Sequence, residues 1–192
     1  VQLRIFSSAS IPDDAEFSVR FDRGEILKCK GKTLKLKVPS AKVWSPESPS
    51  LHTVRVSYEN DSIVERFGIR TVETKGQDIL LNGKPVKLQG VNRHEAHPEF
   101  GPVQNDHLMI EDIRLLKDLG ANFVRCVHYP HSQEFFDFCD ESGMLVWAES
   151  MGWNNTPEDV SNPDFFALQV EQTRIFAESS VNHASIILWG FM

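Results

Sequence analysis

The chain has 192 residues, 41% of them hydrophobic, 24% charged and 10% aromatic, with a net charge of −7. That composition is that of a soluble globular protein of one or two domains, and no apolar run reaches the roughly 20 residues of a membrane span. Three cysteines outside any C-x-x-C spacing argue against a disulfide scaffold or zinc module. The acidic balance argues against nucleic acid as partner, and the compartment stays open.

Val1 to Phe6 reads as the middle of a strand, with no signal-peptide pattern. Phe17–Phe21, Thr33–Val38 and Leu51–Tyr58 alternate apolar and polar residues, as half-buried strands do. Turn formers separate them at Pro12-Asp-Asp14, Arg23-Gly24, Lys30-Gly31, Pro46 to Pro49 and Asn60-Asp61. This spacing suggests an antiparallel β-sandwich of immunoglobulin-like type over residues 1–72, with Trp44 in its core or at its rim.

The rhythm then changes. Ile79 to Leu88 reads as a hairpin around Asn82-Gly83, and Val86 to Asn92 as a strand. Asn105 or Asp106 caps a helix with the stripe Met109, Ile113, Leu116, closed by Gly120. Ala121–Val127 is the next strand. Ser132 opens a short helix with Phe135, Phe138 and Cys139, ended by Gly143. Met144–Ala148 is a third strand. Asn162-Pro163 opens a longer helix with the stripe Phe166, Val170, Thr173, Ala177, Val181, and Ser185–Trp189 is a fourth strand. Apolar strands joined by amphipathic helices imply a parallel sheet covered by helices.

Charge follows the same division. Residues 1–72 hold 12 Lys and Arg against 9 Asp and Glu, net +3, whereas residues 73–192 hold 8 against 18, net −10. Two architectures suit the second part, an open doubly wound sheet or a (β/α)8 barrel. No G-x-G-x-x-G or P-loop follows any strand, and no G-x-S-x-G elbow is present, which weakens the first. A full barrel takes about 250 residues, so residues 73–192 are expected to supply strands 1–4 of one.

Each strand ends in polar and aromatic groups: Asn92-Arg-His-Glu-Ala-His-Pro98, Arg125-Cys-Val-His-Tyr-Pro-His131, Glu149-Ser-Met-Gly-Trp153 and Trp189-Gly-Phe-Met192. In a parallel barrel these ends share the face that holds the active site. Arg93 and His94 follow a strand directly and read as site residues. Arg125 is either a site residue or the structural partner of a carboxylate, and His128 either a site residue or a core histidine. Glu149 at a strand end needs a partner, Arg93 or Arg125. Trp153 and Trp189 suit a sugar-stacking platform or plain core. His97 and His131 read as loop residues that hold the mouth together. The spacing of His94 and His97 permits metal ligation, but no third ligand is apparent. Asp78, Asp118 and Glu171 read as solvated faces.

The stretches Gly68-Ile-Arg70, Leu81-Asn-Gly-Lys-Pro85, Gly90 to Pro98, Leu119-Gly-Ala-Asn-Phe-Val-Arg-Cys-Val-His-Tyr-Pro130 and Asn182-His-Ala-Ser-Ile-Ile-Leu-Trp-Gly190 resemble glycoside hydrolase family 2. The similarity begins near Val43-Trp-Ser-Pro-Glu47. The N-R-H-E-x-H-P form is most like the β-galactosidase branch, with pieces shared by β-glucuronidases. The resemblance implies a retaining exo-glycosidase acting on terminal β-linked sugars. It implies that Arg93, His94, Arg125 and His128 line the sugar subsite, with Arg125 supporting the nucleophilic carboxylate and His128 touching hydroxyls. In the family the proton donor follows the fourth strand and the nucleophile lies far later. Both are therefore expected beyond Met192, and this chain alone is expected to be inactive. Glu149 is retained, but the branch's magnesium ligands are not recognisable, so no cofactor is expected. Expected partners are a carbohydrate and, through an exposed half-barrel, a second copy. The alternative reading is a non-catalytic carbohydrate-binding or scaffold protein.

Overall fold

The computed structural model describes residues 1–5, 11–38, 40–103 and 105–191. The chain opens with β1 (Gln2–Arg4), β2 (Glu16–Phe21), β3 (Leu27–Lys30), β4 (Thr33–Lys35), β5 (Leu51–Tyr58) and β6 (Asp61–Gly68). Strands β3-β2-β5-β6 form one antiparallel sheet, and β1 pairs antiparallel with β4. The two-residue period puts Phe17, Val19 and Phe21 on one side of β2 and Val54 and Val56 on one side of β5. They pack on Leu34 of β4 and Leu3 of β1, which makes a sandwich. Strands β3 and β6 lie outside the sequence expectation. The run expected at Thr33–Val38 shortens to β4, and Phe6, expected to continue β1, lies outside the described residues.

A three-stranded antiparallel sheet follows, β7 (Val72–Lys75), β8 (Asp78–Leu81) and β9 (Lys84–Val86). Between β8 and β9, Asn82 and Gly83 both have positive φ, 53° and 75°. That is the backbone a tight two-residue hairpin turn requires, and Asn-Gly supplies it at least strain. The strand expected over Val86–Asn92 is two elements: Val86 ends β9, and β10 covers Gly90–Arg93. The Asn122 side chain holds the link between them, accepting from Gln89 N and donating to Lys87 O.

The remaining elements are α1 (Asp106–Asp118), β11 (Phe123–Cys126), α2 (Gln133–Ser142), β12 (Leu145–Glu149), α3 (Pro157–Ser161), α4 (Pro163–Ser180) and β13 (Ile186–Gly190). Each long helix begins on a side chain that accepts orphan N–H groups: Asn105 from Leu108, Ser132 from Phe135, and Asn162 from Asp164 and Phe165. Gly143 closes α2 at φ 73°. The short α3, with a Thr156–Asp159 capping box, was not expected from the sequence.

The parallel sheet runs β10-β11-β12-β13 in chain order. Within these four described strands the order shows no reversal of the kind a doubly wound sheet has. One face packs on the helices through Val124, Cys126, Val146, Ala148 and Ile186 against Met109, Ile113, Phe135, Phe136 and Phe176. On α4 the buried residues are Phe176 and Ser180, with Thr173 and Ala177 half-buried, whereas Phe166, Val170 and Val181 are exposed. The expected stripe is thus correct only in its middle. This helix is apolar on more than one side, so periodicity alone does not select the face that docks.

The opposite sheet face meets the β region. Phe123, Leu145, Ile187 and Leu188 pack with Trp44, Leu81, Val86 and Leu88. Trp44 therefore belongs to the junction, not to the sandwich core, and its Nε1–H donates to the Asp140 carbonyl at 2.8 Å. Gly68 permits this approach: a Cβ there would lie 2.4 Å from the Ala184 Cβ. Arg70 donates to the Ala184 and Ile186 carbonyls, both at 2.6 Å, and Arg66 pairs with Asp137 and Glu141 of α2. No helix is long and apolar enough to cross a membrane among the described residues.

Candidate functional site

Pairing register decides which side chains share a face. Asn92, Arg125, Trp147 and Leu188 are level with one another across β10 to β13, and Glu149 stands beside Gly190 one layer further toward the strand ends. Arg93, Cys126, Ala148 and Trp189 form the alternate layer, which faces the helices.

Glu149 is the centre of the first group. It is 2% exposed, and its Oε1 accepts from Arg125 Nε at 2.6 Å. Burying a carboxylate costs several kcal/mol unless it is paired and hydrogen-bonded, and Arg125 supplies both. The guanidinium in turn lies 4.8 Å from the Trp147 ring centroid. The second carboxylate oxygen, Oε2, stands 3.4 Å from His128 Nδ1, and neither atom has a hydrogen-bond partner. The His128 ring stacks on Trp153, with centroids 5.6 Å apart and planes at 25°, and His94 meets His128 edge-on at 5.7 Å. The Val127–His128 peptide bond is cis. Gly190 leaves room for the Trp147 and Glu149 side chains: a Cβ there would lie 2.4 Å from Trp147 Nε1 and 2.8 Å from Glu149 Cγ.

Of the seven residues singled out from the sequence, Arg125, His128, Glu149 and Trp153 come together, with His94 at their edge. Trp153 is 66% exposed, so its free face is open to a ligand. The other two point elsewhere. Trp189 meets Phe176 of α4 at 5.5 Å, on the helix side of the sheet. Arg93 is buried on that same side, with Nε and Nη2 each 2.9 Å from Asp112 Oδ2 of α1 and its guanidinium 4.1 Å from the Phe135 ring centroid. Following a strand directly did not make Arg93 a mouth residue, because the alternation turns it outward.

Sequence reasoning passed over Asn92, Trp147 and Tyr129. The signal for the first two was the same alternation, counted across strands from Arg125. Trp147 Nε1 is buried without a partner. The Tyr129 hydroxyl accepts from Glu95 N at 2.9 Å and lies 3.4 Å from His94 Nδ1.

His94 and His97 turn to different partners: His97 stacks on Phe100 and its Nδ1 accepts from Glu99 N. Magnesium does not fit the mouth. It wants several oxygen ligands, and among the described residues the group at the mouth holds one carboxylate, Glu149, whose Oε1 is held by Arg125. At the opposite end of the sheet, Asp137, Asp140 and His183 bring ligand atoms within 4.8 Å of one another. Those atoms are engaged by protein: Asp140 accepts from Ser185 N at 2.7 Å and faces His183 Nδ1 at 2.8 Å, and Asp137 pairs with Arg66. This cluster ties α2 to the start of β13. Burial pushes the Cys126 and Cys139 thiols well above their usual pKa, which leaves both as unreactive core groups.

Residues 72–191 match the model of the glycosyl hydrolases family 2 TIM barrel domain, and residues 8–70 match that of glycosyl hydrolases family 2. The chain is 32% identical over 190 residues to a β-galactosidase of Lactococcus lactis subsp. lactis, a match covering 93% of this chain and 19% of that protein. Among solved structures it is similar to a β-galacturonidase from Eisenbergiella tayi bound to galacturonate, at 36% identity and TM-score 0.85, covering 93% of this chain and 34% of that one. It is also similar to a β-glucuronidase from Ruminococcus gnavus in complex with D-glucuronic acid, at 28% identity and TM-score 0.86, covering 97% and 33%. The chain thus spans between 19% and 34% of the length of these relatives.

Proposed function

The chain belongs to family 2 of the glycosyl hydrolases, and on that premise we propose that it forms one side of the sugar site of a retaining exo-glycosidase acting on terminal β-linked sugars. Residues 1–72 form the sandwich domain in this reading, and residues 73–192 supply the first four strands of the catalytic barrel. The sugar proposed first is a β-galactoside, and next a β-glucuronide.

The observation that carries this reading is the group Arg125, Glu149, His128 and Trp153 at the C-terminal ends of parallel strands. Trp153 offers an exposed aromatic face for a sugar ring. His128 and His94 offer ring nitrogens to hydroxyls. Arg125 offers positive charge beside the place where a nucleophilic carboxylate would act. Retaining hydrolysis needs two carboxyl groups about 5–5.5 Å apart, one as nucleophile and one as acid and base. Among the described residues this group holds one carboxylate, and Glu149 is committed to Arg125. The chain alone therefore binds sugar without turning it over. That property is also what a non-catalytic carbohydrate-binding protein would have. Self-association is proposed through the edges of the parallel sheet and the exposed Phe166, Leu168, Val170 and Ile175 of α4.

Saturation-transfer NMR of the 192-residue chain with methyl β-galactoside and methyl β-glucuronide tests the reading. Transfer to one of these sugars, lost in Trp153→Ala and in His128→Ala, is expected, with no nitrophenol released from the nitrophenyl glycosides. Absence of transfer to either sugar at millimolar concentration would overturn the site assignment. Steady hydrolysis would overturn the claim that the cluster lacks a working carboxyl pair. Light scattering that finds only monomer at high concentration would remove the self-association proposal.

A further inference from the structure

The face of the sheet turned away from the sugar site holds a chain of polar contacts, through the buried Arg93 and His131, that ends on the Val127 carbonyl, next to His128. It starts on α1, where Asp112 Oδ2 accepts from Arg93 Nε and lies 2.9 Å from Nη2. Arg93 Nη1 lies 3.2 Å from His131 Nδ1. A guanidinium has no acceptor, so Nδ1 must be the acceptor and the ring proton must sit on Nε2. His131 Nε2 is 3.4 Å from the Val127 carbonyl oxygen, which can accept that proton. Val127 N in turn donates to the Arg93 carbonyl at 3.1 Å. Both side chains are buried, Arg93 at 7% and His131 at 3% exposure.

From this geometry we infer that Arg93 and His131 are positioning residues: they hold the Val127–His128 peptide from behind and so set where the His128 ring stands against Glu149 and Trp153. The role assigned to Arg93 is thus not contact with sugar. The inference rests on the sugar-site reading only for its consequence in binding, since the tether itself is a property of the chain without ligand. Glu95 strengthens the frame, with Oε1 3.8 Å from Arg93 Nη1 and accepting from Ser132 N, the cap of α2. The protonation state agrees: burial, aided by the Arg93 charge, holds the His131 pKa down to about 3, so the ring is neutral at working pH. A proton on Nδ1 would face the guanidinium and break the tether.

Two readings on the 192-residue chain test the inference. Long-range proton–nitrogen NMR is expected to find His131 as the neutral Nε2–H form from about pH 5 to pH 8. An Nδ1–H form, or titration in that range, would overturn the tether. With the His128 ring stacked on Trp153, its protons are expected to carry an upfield ring-current shift, identified by its loss in Trp153→Ala. His131→Phe, which keeps a ring but no polar atom, is expected to abolish that shift; a His128 signal left in place would overturn the inference. Should His131→Phe not fold, the tautomer measurement and His131→Gln, whose amide offers one donor and one acceptor and is expected to retain the shift, decide in its stead. At metal sites, groups that orient a ligating histidine from behind are worth roughly 10–100-fold, and the lower end is taken here for a histidine facing a sugar. Sugar affinity in His131→Phe is accordingly expected to fall about tenfold. Loss of the shift in a chain that binds no sugar would sink the sugar-site reading and leave the tether standing.

Discussion

Replacing Glu149 probes the centre of the site directly. At the observed 2.6 Å, the Glu149–Arg125 attraction is about 6 kcal/mol at an effective dielectric constant of about 20. Desolvation takes back several kcal/mol, most of it on the carboxylate, since its side chain is 3% exposed and that of Arg125 is 25%. In Glu149→Leu the attraction is gone and the guanidinium is left partly desolvated. Breaking a buried pair costs about 3–5 kcal/mol. The lower end, about 3 kcal/mol, is expected here because Arg125 keeps access to water and to the Trp147 ring. Glu149→Gln retains an acceptor for Arg125 Nε and is expected to cost only about 1–2 kcal/mol. Arg125→Met strands the carboxylate and is expected to cost more than Glu149→Leu. The double variant Arg125→Met/Glu149→Leu buries no charge, so it should lie well below the sum of the singles. Urea unfolding followed by circular dichroism measures each term, with m checked for constancy. Additivity within about 0.5 kcal/mol would refute the pairing as the reason Glu149 is buried. The double variant should still lose sugar binding, which separates the stability of the pair from its place in the site.

Gly68→Ala is expected to cost about 1–3 kcal/mol, because its Cβ would lie 2.4 Å from the Ala184 Cβ; Ala184→Gly should restore part of that in thermal melts. His131 should make the fold acid-sensitive. Its ordinary pKa of about 6.5 falls to about 3 on folding, so between those values the unfolded chain binds a proton that the folded chain refuses. Its contribution is full above about pH 6.5 and is lost by up to about 1.4 kcal/mol per unit as the pH falls toward 3. His131→Phe should flatten that slope in melts across pH, and an unchanged slope would count against a buried neutral ring. With a thiol reagent, the half-buried Cys29 should react in the native protein, and Cys126 and Cys139 only in denaturant. Native modification of Cys126 would contradict its packing between the sheet and the helices.

Features carried by neighbours in the chain are legible in the sequence. Asn105, Ser132 and Asn162 open their helices because a short polar side chain reaches an N–H two or three residues on. Asn82-Gly83 turns the hairpin because both residues accept positive φ. The clustering of Arg125, His128 and Glu149 was readable as well, since strands laid parallel bring their C-terminal ends to one side. These outcomes rest on interactions spanning a few residues, or on a topology that the alternation of strand and helix implies.

Tertiary packing decided the rest. Neighbouring residues on a strand face opposite ways, and only pairing with the next strand sets which one looks inward. That phase turned Arg93 toward Asp112 and Trp189 toward Phe176, and brought Asn92 and Trp147 level with Arg125. The register shift between Val146 and Trp147 against β13 has no local signature in the sequence. The same holds for α4, where several apolar sides competed and docking of Phe176 chose one. Trp44, read from the sequence as the core or the rim of the sandwich, closes the junction because Gly68 lets the two units meet there. The sequence by itself determined which residues sit at the strand ends. Only the packed structure determined which of them gather around Glu149 and which turn to the helices, because that choice depends on contacts between segments far apart in the chain.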